Sequence, residues 1–301
     1  MKKVHVTRMI LAVSILSVFF LVACGNNSST EPTTPKPATL TVTLSVQHIS
    51  QRTLTDGAIN CTVTGGKAPY TFAWSNAAVT EDITNLAAGT YTVIVTDADN
   101  TSVTKDKTVI EPQQFTDIDG NVYETIIIGN QQWFASNARM LQTPSGTAIT
   151  AGTNVVGGST DARYYTVTQS GSSTVETNPV FYNWPAALAI CPSGWHVATE
   201  ADWTQLLNYL AIEGHGGTGT VAADKMKSTA SSSGFDALYT GYWDAGSFYV
   251  SGNSTIFWSS TQYPSDARDN WVYKMTTSST IEKLYLDKRC AYSVRFVKTI
   301  D

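Results

Sequence analysis

Apolar and polar residues alternate with a period of two over residues 40–46, 58–63, 70–74 and 91–95. Such alternation puts one face of each segment against a core and the other in water, as in half-buried β-strands. Gly65-Gly66, Ala88-Gly89 and Asp97-Ala98-Asp99-Asn100 separate the runs as turns. Short strands recurring about every 8–12 residues predict a β-sandwich over residues 39–112. Trp74 reads as its core tryptophan.

After residue 112 the pattern changes. Residues 115–133 read as strand, turn, strand, turn, strand, with Asp119-Gly120 and Gly129-Asn130 as turn signals. Residues 142–180 are rich in Gly, Ser and Thr and predict loops with one strand at 163–167. A short helix is expected from Asn183 as cap, with Pro185 in its first turn, to Ile190. A second starts at Thr199, where Asp202 stands three residues on as the reciprocal acid and Trp203, Leu206, Leu207 and Leu210 form one apolar stripe. Strands are expected again near 234–243, 248–250, 256–260, 271–275, 283–286 and 293–297. Residues 113–301 thus read as an α+β domain with two helices and an antiparallel sheet.

The first residues build neither domain. Lys2, Lys3 and Arg8 precede an apolar run at 10–22 that falls short of the ~20 residues needed to cross a bilayer. A basic start and a short apolar run predict a secretory signal peptide over 1–23. Residues 24–38, with Pro32, Pro35 and Pro37 among Ser and Thr, have nothing with which to make a core and read as an extended tether. Composition agrees with an exported protein: charged residues make up 14% of the 301, against about 25% in an average soluble domain. The formal charge of −5 becomes −8 once Lys2, Lys3 and Arg8 are removed, which argues against a nucleic-acid partner.

Three stretches resemble known families. Leu21-Val22-Ala23-Cys24-Gly25 resembles the lipobox of bacterial lipoproteins. That resemblance implies diacylglycerol on the Cys24 thiol and two or three acyl chains holding the protein on a membrane. Gly25 rather than Asp follows the cysteine, which points to the outer membrane and leaves open whether the protein faces the exterior or the periplasm. Gly65-Gly66-Lys67-Ala68-Pro69-Tyr70-Thr71-Phe72-Ala73-Trp74, followed by Gly89-Thr90-Tyr91-Thr92-Val93-Ile94-Val95, resembles the gliding-adhesin SprB repeat, in style a PKD-type immunoglobulin-like domain. Such repeats usually carry two cysteines, and here only Cys61 is present, so no bridge is expected within this domain. The resemblance implies a spacer or weakly adhesive module.

Residues 113–301 resemble the Fibrobacter succinogenes major paralogous domain. The matching pieces are Asp117-Ile118-Asp119-Gly120-Asn121-Val122-Tyr123, Tyr182-Asn183-Trp184, Cys191-Pro192-Ser193-Gly194-Trp195-His196-Val197, Phe257-Trp258-Ser259-Ser260-Thr261 and Ser293-Val294-Arg295. Gly194-Trp195-His196-Val197-Ala198-Thr199-Glu200-Ala201-Asp202-Trp203 is similar to a segment of formylglycine-generating-enzyme domains, which implies a C-type-lectin-like fold. The fold class expected is therefore multidomain, an all-β immunoglobulin-like sandwich followed by an α+β C-type-lectin-like domain. In an oxidising periplasm Cys191 and Cys290 are candidates for a disulfide, although relatives place the second cysteine where Phe296 stands here.

No catalytic constellation emerges. Counting Asp117 as the first position of a calcium loop puts Ile128 where a bidentate Glu is required. His196 and His215 lack ligand-spaced partners for zinc. Ser193, His196 and Asp202 have no nucleophile context, and His196 reads as a hydrogen-bonded structural residue. No enzyme activity, metal or cofactor is expected. Binding remains, through loops at about 240–270, where Tyr242, Trp243, Asp244, Tyr263 and Asp266 combine aromatic faces with carboxylates suited to a glycan or a surface protein. Trp258 reads as core, while Trp243 fits core and ligand site equally.

Overall fold

Threonine-rich alternation yields strands at the start of the folded region, each with its apolar side chains on one face. β1 (Thr41–Gln47), β2 (Gly57–Thr64) and β4 (Ile83–Leu86) form one antiparallel sheet in the order β1-β2-β4. β3 (Thr71–Trp74), β5 (Gly89–Thr96) and β6 (Ser102–Val109) form a second, in the order β3-β5-β6. Val42, Ile59 and Ile83 from the first sheet meet Trp74, Val93, Val95 and Val109 from the second in a shared core. Trp74 is buried and donates its indole N–H to the Thr80 carbonyl at 2.9 Å, as a core tryptophan should. β6 escaped the sequence pattern because Lys105, Asp106 and Lys107 interrupt the alternation between Val103 and Val109.

The structure is a computed structural model describing residues 38–152, 161–166, 179–212, 219–227, 233–244, 247–249, 252–278 and 281–300. The expected signal peptide, Cys24, the tether up to residue 37 and His215 lie outside the described residues. Residues 38–301 form one unit.

Two hairpins open the second half. β7 (Phe115–Thr116) pairs with β8 (Val122–Tyr123), and β9 (Thr125–Ile128) with β10 (Gln131–Phe134). Gly129 makes the second turn at φ +63°, where a Cβ would meet the Tyr209 ring at 2.9 Å, so both backbone and packing require glycine. β11 (Thr150–Ala151), β12 (Arg163–Thr166) and β13 (Val180–Tyr182) follow as a small sheet whose β11–β12 pair is parallel. Next come α1 (Trp184–Ala189), β14 (His196–Val197), α2 (Glu200–Ile212), α3 (Gly219–Met226), the hairpin β15 (Tyr242–Asp244) with β16 (Ser247–Tyr249), and the antiparallel sheet β17 (Ser254–Gln262), β18 (Asp269–Thr276) and β19 (Ile281–Asp287). The last strand, β20 (Phe296–Thr299), inserts between β14 and β10 to give the order β14-β20-β10-β9. The architecture is β-rich, with several small sheets and three described helices.

Both predicted helix starts are built as their residues dictate. Asn183 caps α1, its Oδ1 accepting from the Ala186 N–H at 3.2 Å. Thr199 and Asp202 form a reciprocal capping box on α2: the Asp202 N–H donates to Thr199 Oγ1 at 3.1 Å, and the Thr199 N–H to Asp202 Oδ2 at 2.8 Å. Trp203, Leu206 and Leu210 are buried beneath the helix. α3 is an addition to the two expected helices. Its described buried side chains are Ala222, Ala223 and Met226, too small to stand out as an apolar stripe.

The strand expected over 234–243 exists only as β15. The reason is Arg295, which is 1% exposed. Its Nη1 donates to the carbonyls of Phe134 at 2.8 Å and Phe235 at 2.7 Å, its Nη2 to that of Asp236 at 3.1 Å and its Nε to Asn137 Oδ1 at 2.8 Å. Carbonyls turned onto a guanidinium are lost to a ladder, and Asp236 takes φ +45° to present its own. Burial pulls the Arg295 group down to about 9, an effect that the Asp236 carboxylate partly offsets.

The two halves also share hydrogen bonds. The Ile127 N–H donates to the Ser50 carbonyl at 2.9 Å, and Gln51 forms an antiparallel bridge with Ile126. Arg52 pairs with Glu124 at 3.2 Å, while within the first half Glu111 accepts from the Thr53 N–H at 2.6 Å and steadies the same segment. The segment after β1 thereby covers the outer edge of β9, an edge that would otherwise offer unpaired backbone groups.

Two substitutions check these anchors. Arg295→Met leaves four acceptors unmatched, two of them buried, and should cost about 3–5 kcal/mol in urea unfolding, whereas the exposed Arg268→Met should stay within about 0.5 kcal/mol. A small loss at Arg295 would mean that the guanidinium is dispensable. For Asp202, burial alone would raise the carboxyl, but hydrogen bonds from His196 and from the Thr199 hydroxyl and amide outweigh it and hold the group at about 2. A carboxyl lowered in the folded state stabilises above its unfolded value of about 4 and loses that contribution as pH falls toward 2. Asp202→Asn should therefore lose about 1–2 kcal/mol at pH 7, with the difference from wild type shrinking as both are titrated to pH 2. A gap that did not depend on pH would contradict the assignment.

Candidate functional site

The five residues that sequence places in a binding loop divide between two places. Tyr242, Trp243 and Asp244 make up β15. Tyr242 stacks on Tyr249 across the hairpin, with ring centroids 5.2 Å apart and planes at 17°. Trp243 packs against Tyr165 at 5.7 Å and Phe248 at 5.5 Å, and its backbone exchanges hydrogen bonds with Ala291 at 3.0 and 3.2 Å. It is half-buried and belongs to a satellite core with Phe181. Burial, then the Asp244 carboxylate, raise the Tyr242 phenol.

Asp244 is also a neighbour of Cys290. Cys290 directs its thiol to Asp244 Oδ1 at 3.1 Å, while Cys191 faces the Trp195 carbonyl at 3.2 Å. The structure joins neither to the other, and buried Cys61 to no described cysteine, in contrast to the disulfide expected between Cys191 and Cys290. Each sulfur is oriented toward an oxygen of its own neighbourhood: Cys191 in the turn after α1, Cys290 in the link from β19 to β20. Burial pushes the Cys191 thiol up to about 11.

Tyr263 and Asp266 lie in the turn between β17 and β18, with different neighbours. Tyr263 stacks on Tyr285 of β19 at 4.1 Å and 6°, and Trp271 of β18 stands edge-on to both, at 4.9 Å and 87° from Tyr263 and 6.1 Å and 81° from Tyr285. Trp271 and Tyr285 are direct partners in the β18–β19 register. Lys283 Nζ sits 3.9 Å over the Trp271 ring and is ion-paired with Glu200 in the first turn of α2. Tyr285 is 51% exposed, and Tyr263 and Trp271 are partly so.

Charges around this cluster are paired. The Arg268 side chain and its backbone N–H hold the Asp266 carboxyl at about 2, with Nη2 at 2.6 Å from Oδ2. Asp287 is likewise lowered by the Arg289 fork, whose Nη2 lies 2.6 Å from Oδ2. Asp269, opposite Asp287 in the sheet, is raised by burial and then by the carboxylates of Asp266 and Asp287. The two arginine forks thus offset a local crowd of acids. Lys288 donates to the Ala267 carbonyl at 2.7 Å, tying the Tyr263 turn to the link that carries Cys290.

Trp271 and Tyr285 are the site residues that the sequence reading missed. Both were counted as parts of ordinary strands, and their pairing depends on register. Other candidates have structural duties. Trp258 is buried and donates its indole N–H to the Tyr182 carbonyl at 2.7 Å. Asp117 closes its own turn, accepting from the Asn121 N–H and the Tyr123 hydroxyl, both at 2.8 Å, and Asp119 accepts from the Leu141 N–H at 2.6 Å. His196 lies 2.8 Å from the capping carboxylate of Asp202. Among the described residues no helix is long and apolar enough to cross a membrane.

Comparison with known proteins matches two regions. A family model for the SprB repeat matches residues 54–79, from just before β2 to just after β3. A model for the Fibrobacter succinogenes major domain matches residues 126–298, from β9 into β20. No curated protein and no solved structure matches the chain. With its α1 and α2 caps, the buried Arg295 and the aromatic sheet all inside a match that spans more than half of its length, the chain belongs to the Fibrobacter succinogenes major domain family.

Proposed function

We propose that this protein is a lipid-anchored component of the cell envelope whose folded unit binds a glycan or protein ligand without catalysing a reaction. In this reading the SprB-containing half is an immunoglobulin-like stalk and the family domain a C-type-lectin-like head, held on the outer membrane through Cys24. The observation that carries the proposal is the cluster of Tyr263, Trp271 and Tyr285, three aromatic rings packed together and left partly in water, with Tyr285 51% exposed. The SprB match supports placing it at a cell surface.

A second reading, a structural component that contacts other envelope proteins, is favoured by Ile118, Val122 and Leu141, which are exposed around the β7–β8 hairpin. The described surface offers both kinds of contact, and the aromatic cluster favours the first.

Anchoring is tested by feeding cells a labelled fatty acid. Full-length protein should carry the label and sediment with membranes, and Cys24→Ser should lose the label and become soluble; unlabelled wild-type protein would refute the lipid anchor. Binding is tested with the full chain in detergent against immobilised glycans and, after cross-linking in cells, by identifying attached proteins. A ligand of either class is expected, and failure with both would overturn the binding reading.

A further inference from the structure

We propose that Tyr285, braced from behind by Tyr263 and Trp271, forms a stacking shelf for a neutral polysaccharide. This rests on the binding reading above and adds a place and a ligand class to it. Stacking a pyranose ring needs an aromatic surface that is both exposed and already ordered, because side chains that must be immobilised on binding give back part of the contact energy. Here the ordering is complete before any ligand arrives. Tyr263 and Tyr285 lie parallel at 4.1 Å, Trp271 is wedged edge-on against both, and Lys283 pins the Trp271 face while tied to Glu200. Trp271 and Tyr285 are paired on adjacent strands, and Tyr263 follows β17 with its N–H bonded to the Asp269 carbonyl at 3.2 Å, so the backbone fixes their spacing.

The surroundings select the ligand. A polyanion would need several cations free of carboxylates, yet Arg268 is forked onto Asp266, Arg289 onto Asp287 and Lys283 onto Glu200. Among the described residues this leaves Lys288, bonded to the Ala267 carbonyl, as a single cation at the Tyr263 turn without an ion-pair partner. The paired charges remain able to donate to and accept from sugar hydroxyls at the rim, as do the phenol hydroxyls of Tyr263 and Tyr285. A neutral sugar ring, apolar on its C–H face and hydroxylated at its edge, matches both features.

The test is affinity electrophoresis of the full chain in a non-ionic detergent, through gels containing hydroxyethylcellulose, mannan or polygalacturonate. The expected result is retardation by at least one neutral polymer that persists in 0.5 M NaCl. Tyr285→Ala should weaken it about tenfold, whereas Tyr285→Phe, which keeps the ring, should stay within about twofold. Tyr285 is largely exposed, so its alanine variant should melt like wild type; Trp271→Ala is informative only if it does too. Three results would overturn the proposal: unchanged retardation of folded Tyr285→Ala, retardation by polygalacturonate alone that salt abolishes, or no retardation by either neutral polymer. If the last is accompanied by a cross-linked protein ligand, the shelf proposal fails while the binding reading stands.

Discussion

A guanidinium enclosed by protein must be met by oxygen atoms, and distant segments of this chain converge to supply them at Arg295. Removing such a charge from water costs several kcal/mol unless its donors are satisfied. The Arg295 donors reach the end of β10, the turn after it and the 235–236 turn, while the residue itself leads into β20. Its guanidinium also lies 4.4 Å over the Phe235 ring, which packs in turn against Trp133 and Trp203. The contact therefore joins the start of the family domain to its last strand. It also places Phe235 under α2, whose Trp203 stacks on Tyr273 of β18 at 4.8 Å. Trp271 of the aromatic shelf stands two residues before Tyr273 on that strand, so the buried centre helps to position it.

A second constraint joins the halves. β9 is the outer strand of its sheet, and residues 50–51 pair with it, so the SprB-containing half closes an edge of the family domain. Backbone pairing supplemented by the Arg52–Glu124 ion pair gives a directional connection between the two cores.

What could be read from the sequence follows the range of the interaction responsible. Asn183 before Pro185, and Thr199 three residues before Asp202, are local signals, and both caps form as read. Trp74 and Trp258 went correctly to the core because each lies in a short apolar run that must be covered. The absent strand at 234–241 has a long-range cause, the capture of its carbonyls by a residue about sixty positions away. Register hid the shelf as well. Period-two alternation puts Trp271 and Tyr273 on one face, but only the placement of α2 decides that Tyr273 is covered by Trp203 while Trp271 stands beside the first helical turn. The disulfide expectation came from the cysteine count and an oxidising compartment, neither of which fixes where two thiols sit; in the structure Cys191 and Cys290 face the Trp195 carbonyl and the Asp244 carboxylate instead.

The exposed aromatic cluster thus lies on a strand packed, through Tyr273, Trp203 and Phe235, onto a buried cation, in a unit whose two cores are hydrogen-bonded together and which a lipidated cysteine would hold at the membrane. In the function proposed above, with the SprB match pointing to a cell-surface protein, this surface would face the outside of the cell. The most direct measurement is protease treatment of intact cells producing the full chain with a tag after Asp301. The account predicts that the tag is lost while periplasmic markers survive; a tag that persists until the outer membrane is opened would contradict it.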